Sequence, residues 1–68
     1  MKISARNQLR GTVEKVELGV VTAKVGVRVG ENLIESVITK QSVEDLNIKV
    51  GSEVTAIIKS TEVMLMVD

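Results

Sequence analysis

The chain is predicted to be all-β, a five-stranded barrel with one short helix between strands 3 and 4, and three observations predict it. Val21, Ala23, Val25, Val27 and Val29 alternate with Thr22, Lys24, Gly26 and Arg28, the period-two pattern of a strand with one face inside. The apolar residues are almost entirely Val, Ile, Leu and Ala, with no aromatic side chain, and β-branched residues suit a pleated, half-buried surface. At residues 40–47 the alternation gives way to a helical spacing, Val43 and Leu46 standing three apart as on one face of a helix.

Taken in order, Ile3, Ala5 and Asn7 face one way along an extended arm, and Ser4, Arg6 and Gln8 face the other. Residues 9–18 form a first strand region interrupted by Gly11, with Val13 and Val16 out of phase. That slip predicts a bulge or bend near Glu14-Lys15, a common way of curving a barrel strand. Glu17-Leu18-Gly19 is a turn, residues 20–29 are the second strand, and Gly30-Glu31-Asn32 is a hairpin turn into a third strand over 33–39. Ser42 is the expected cap of the helix, with Asp45 three residues on as in a capping box. Val43 and Leu46 are expected to plug one barrel end, and Asn47 or the Lys49-Val50-Gly51 turn to stop the helix. Residues 53–60 and 62–67 supply the last two strands, with Ser60-Thr61 between them. Strand, strand, strand, helix, strand, strand is the order of an OB-fold; an antiparallel sandwich is the alternative.

At 68 residues the chain reads as a single domain, residues 1–68, and a domain of this size buries a low fraction of its surface. Cysteine and histidine are both absent, which removes disulfides, thiolate sites and the commonest metal ligand and general base. With no staple and no aromatic anchors, self-association is expected to supply part of the stability. No stretch has the length of a membrane span and no signal peptide is visible, so a soluble, cytoplasmic protein without a membrane partner is expected. Nine basic residues balance nine acidic ones. Single-stranded nucleic acid is bound by a basic groove with stacking aromatics, so no nucleic-acid partner is expected. Glu14, Glu17, Glu35 and Glu44 are scattered without a nucleophile or partner base, and an enzyme is not expected.

Ser4-Ala5-Arg6-Asn7-Gln8, Val20-Val21-Thr22-Ala23, Ile38-Thr39 with Ser42, and Val54-Thr55-Ala56 running to Lys59-Ser60-Thr61 resemble the molbindin (Mop) family in order and spacing over essentially the whole chain. The resemblance implies a Mop domain that assembles as a homohexamer, a trimer of dimers, and binds molybdate or tungstate between subunits for intracellular molybdenum storage or buffering. It implies an interface site taking Ser4 and Arg6 from one chain and Thr39, Lys59 and Ser60 from a neighbour, Ser60 through its backbone N–H. A second site near the threefold axes is expected from Gly19, Val20, Val21 and Thr22. No residue is expected to act catalytically or to ligate the metal directly, and no organic cofactor is expected. A molybdopterin carrier and an OB-type nucleic-acid module are the alternatives.

The residue chemistry is compatible with that expectation. A tetrahedral dianion needs converging donors and positive charge; Arg6 and Lys59 supply the charge, and Ser4, Thr39 and Ser60 the neutral donors. A guanidinium presents paired N–H groups to anionic oxygens. An all-donor site disfavours protonated phosphate, and molybdate and tungstate are too alike in size to be separated well. Each residue also has an ordinary role: Arg6 as a solvated strand charge, Lys59 as an edge charge, Thr39 as a strand former, Ser60 as a turn residue, Ser42 as a cap.

Overall fold

A computed structural model describes residues 2–68. Four strands, β1 (Asn7–Leu18), β2 (Thr22–Val29), β3 (Asn32–Thr39) and β4 (Glu53–Ile58), form one antiparallel sheet in the order β3-β2-β1-β4, and the helix α1 (Lys40–Asp45) lies between β3 and β4. Among the described residues no helix is long and apolar enough to cross a membrane.

β1 carries the architecture because it changes partners along its length. Its first half pairs with β4 and its second with β2, so that Thr12 stands opposite both Glu53 and Arg28. The chain must bend sharply at that corner, and two features allow it. The register shifts between Val13 and Lys15, leaving Glu14 as the extra residue of a bulge, where the phase slip in the sequence placed one. Gly11 lets the strands approach: a Cβ there would lie 2.5 Å from the Arg28 carbonyl oxygen and 2.8 Å and 2.9 Å from methyl carbons of Val27 and Val29. Gly11→Ala is therefore expected to destabilise the fold by about 1–3 kcal/mol, read as a lowered urea midpoint at fixed protein concentration.

The Glu14 carboxylate on the bulge accepts from Arg28 Nε at 2.5 Å and Nη2 at 3.0 Å, and Arg28 Nη1 reaches the Glu31 carbonyl at 3.3 Å in the β2–β3 turn. The Arg28 hydrogen bond holds the Glu14 carboxyl below its ordinary value and raises the Arg28 guanidinium. Because the folded-state value of Glu14 is the lower one, its contribution is present above the unfolded carboxylate pKa and is lost as pH falls through the folded value. Thermal melts are thus expected to show an acid-side decline that is shallower in Glu14→Gln, with neutral and alkaline stability set elsewhere. Both side chains are exposed, so the effect is modest.

The inner face holds Val13, Ala23, Val25, Val27 and Val43, with Val16, Val29, Ile38, Ile48 and Val54 packed against them. β2 begins at Thr22 rather than at residue 20, because Gly19 N–H donates to the Thr22 carbonyl and turns the chain, leaving Val20 and Val21 exposed. The cap of α1 is Thr39, not Ser42. β3 runs directly into the helix, so Ser42 falls in the first turn and its N–H is the orphan donor that Thr39 Oγ1 accepts at 3.0 Å. Asp45 instead accepts from Gln41 Nε2 at 2.9 Å. Val43 plugs the core as expected, whereas Leu46 is exposed, since the helix ends before it and Asn47, at φ 53°, turns the chain away.

Among the described residues four of the expected five strands form. β4 stops at Ile58, and Ser60–Glu62 is a 3-10 turn closed by Glu62 N–H to the Lys59 carbonyl at 2.9 Å. After it Met64, Leu65, Met66 and Val67 run free of the sheet, each at least 90% exposed. The sheet is consequently open between its two edge strands, β3 and β4. An apolar cavity of about 300 Å³ lies there, lined by Val25, Val27, Ile34, Ile38, Val54 and Ile58 among others.

Candidate functional site

That cavity is poorly suited to an anion, because the charged residue in its lining is the carboxylate Glu35 and no cation accompanies it there. A second cavity, of about 290 Å³, has the right chemistry. It is lined by Ile3, Ser4 and Ala5 from the N-terminal arm and by Ile57, Lys59, Ser60 and Thr61 from the end of β4 and the turn after it. The β1–β4 register makes this meeting possible: Asn7 stands opposite Ile58 and Gln8 opposite Ile57, so residues just before β1 lie beside residues just after β4. Ser4, Lys59 and Ser60 therefore share one cavity within a single chain, where the sequence-based expectation took Ser4 from one subunit and Lys59 and Ser60 from another.

The cations divide into paired and unpaired sets. Arg10, Lys15, Lys24 and Arg28 are each engaged by a carboxylate: Glu53, Glu17, Glu35 and Glu14 respectively. These pairs satisfy the outer surface internally, and in the Lys15–Glu17 pair a hydrogen bond raises the lysine and lowers the glutamate. Lys2, Arg6, Lys40, Lys49 and Lys59 are in no ion pair among the described residues; of these Lys59 lines the cavity, where the side chains of Ser4 and Ser60 are in no hydrogen bond. Cationic and hydroxyl donors thus lie uncommitted around one opening. Arg6 is exposed beside it in sequence but does not line the cavity.

Thr39 lies elsewhere. It ends β3, on the opposite edge of the sheet from β4, stands across from Thr22, and uses its hydroxyl to cap α1 and to share a 2.8 Å hydrogen bond with the Ser42 hydroxyl. Gly19, Val20, Val21 and Thr22 do form one exposed turn, closed by Gly19 N–H to Thr22 O at 2.8 Å and tied to the start of α1 by Lys40 N–H to Val21 O at 2.8 Å. Within one chain, then, Thr39 neighbours this turn and not Lys59. Thr61 lines the cavity and was not singled out from the sequence; its only signal was its position after Lys59-Ser60.

The chain thus presents a small, open OB-like sheet with a cavity beside its first and last strands where Ser4, Lys59, Ser60 and Thr61 stand among Ile3, Ala5 and Ile57. The TOBE domain profile matches residues 3–65, and the chain belongs to the TOBE domain family and, within it, to the Mop proteins. It is 52% identical over 67 residues, covering 97% of this chain and 98% of the relative, to molybdenum-pterin-binding protein 1 of Clostridium pasteurianum. Its fold matches MopII of the same organism with a TM-score of 0.91 at 51% identity, over 97% of this chain and 100% of that one. It matches a molybdate-binding protein from Sporomusa ovata with a TM-score of 0.93 at 39% identity, over 97% and 98% of the two chains.

Proposed function

We propose that the chain binds molybdate or tungstate as the intact oxyanion and acts as an intracellular molybdenum store or buffer rather than an enzyme. The observation that carries this reading is the single cavity shared by Ser4, Lys59 and Ser60, in a chain whose relatives bear molybdenum and molybdate in their names. Lys59 is the one cationic side chain lining it, which leaves a dianion half-neutralised. Arg6 and Thr39 of a second copy complete the charge and donor set in this reading, and a symmetric interface repeats the completed site without further sequence.

Two features support assembly into a homohexamer, a trimer of dimers. The sheet has two unpaired edges flanking an apolar cavity, and an exposed, continuously apolar tail, Val63 to Val67, follows β4; both are liabilities for an isolated subunit. Closure of the five-stranded barrel belongs to the assembled state. The turn Gly19–Thr22, with Val20 and Val21 exposed at its tip, is the second contact region and the place of the threefold-axis site.

Native mass spectrometry with and without molybdate tests the reading in one measurement. Six subunits with several retained oxyanions are expected. A monomer, or an assembly that retains no molybdate, overturns it. A second reading, a pterin-linked molybdenum ligand, is favoured by the names of the C. pasteurianum relatives. No aromatic ring is present to stack on a pterin, and a free pterin is expected not to compete with molybdate in the same titration.

A further inference from the structure

Asn7 and Gln8 belong to the N-terminal motif yet line neither cavity. Being consecutive on β1 they point to opposite faces, and each carboxamide bonds a carbonyl next in sequence to a residue of the proposed site. Asn7 Nδ2 donates to the Ile58 carbonyl at 3.2 Å in a partly buried bond spanning nearly the whole chain. That carbonyl belongs to the peptide group leading into Lys59. Gln8 Nε2 donates to the Ala5 carbonyl at 2.9 Å, and that carbonyl belongs to the peptide group leading into Arg6. Ala5 lies before β1 and outside the sheet, where no ladder bond orients its peptide plane; Ile58 is the last residue of β4, opposite Asn7, and its carbonyl opens the peptide by which the chain leaves the sheet.

We propose that Asn7 and Gln8 are positioning residues, which set the separation of the Ser4–Arg6 arm from the Lys59–Thr61 turn and thereby the size of oxyanion the cavity accepts. The proposal rests on the reading that this cavity takes molybdate. Donors held at a fixed separation discriminate against an anion of the wrong size, because a smaller one is met by stretched hydrogen bonds. Donors on loose segments close in on either anion, so discrimination falls before binding is lost.

The test is calorimetric titration of the full chain with sodium molybdate and with sodium sulfate, for the parent, Asn7→Leu, Gln8→Met and a matched control, Gln41→Met. Leu and Met replace the carboxamides with side chains of similar size and no donor. Gln41 makes a surface carboxamide bond of the same 2.9 Å length on α1, remote from the motif. Asn7→Leu and Gln8→Met are expected to weaken molybdate binding about five- to tenfold and sulfate binding less, narrowing the ratio between them. Gln41→Met is expected to leave both constants unchanged. Gln8 is exposed, so Gln8→Met keeps the test open if Asn7→Leu does not fold. An unchanged molybdate-to-sulfate ratio in the folded variants overturns the positioning role while leaving molybdate binding intact, whereas failure of the parent to bind molybdate overturns both.

Discussion

Val25→Asp is expected to leave the chain without a native state at neutral pH. Val25 is 3% exposed and sits between Ala23 and Val27 on the inner face of β2, within a core of only five fully buried apolar residues. An ionised carboxylate there loses its hydration and meets no cation, since the cations flanking β2 that form ion pairs, Lys15, Lys24 and Arg28, hold theirs with exposed partners. Burying an unpaired charge costs at least several kcal/mol, and a domain of this size has a net stability of about 3–5 kcal/mol. The deficit exceeds the reserve. Loss of the β-sheet signal in far-ultraviolet circular dichroism, with monomeric mass in native spectrometry, is the expected result. A dispersed, native-like amide spectrum for the variant would show that Val25 is not the centre of the core.

The second large effect is on binding. Arg6→Ala is expected to lower molybdate affinity about ten- to hundredfold, the range for removing charge-assisted hydrogen bonds to an anion, and to leave the melting profile close to that of the parent, because the side chain is exposed and makes no internal bond among the described residues. Lys59→Ala is expected to weaken the same sites. The double variant should lose less than the product of the two single losses, since both groups act on one ligand. Calorimetry on the four proteins measures the coupling. Full-strength binding by Arg6→Ala would exclude the guanidinium from the site and leave Lys59 and the hydroxyls to hold the anion.

The comparison of expectation with structure turns on how local each feature is. The bulge at Glu14 was visible as a phase slip between Val13 and Val16, because a strand side chain has only two faces to choose from. The alternation of residues 23–29 likewise stated its own burial. The helix cap was misread because Ser42 and Thr39 are both hydroxyl residues at the head of the same short helix, and only the direct run of β3 into α1 selects Thr39. The tail after Glu62 is an unbroken apolar run, Val63 to Val67, and such a run records a preference for burial and does not provide a partner. Among the described residues no strand pairs with it, and it follows a 3-10 turn with its side chains exposed.

Sequence alone determined the all-β class, the order of the first three strands, the helix and the fourth strand, and the corner in β1, since periodicity and turn chemistry are properties of neighbouring residues. Tertiary structure alone decided that Ser4 meets Lys59 and Ser60 in one subunit, that Thr39 is spent on capping a helix, and that Asn7 reaches the Ile58 carbonyl. Those outcomes follow from an antiparallel register joining segments some fifty residues apart in sequence, and register is set by the packing of the whole sheet.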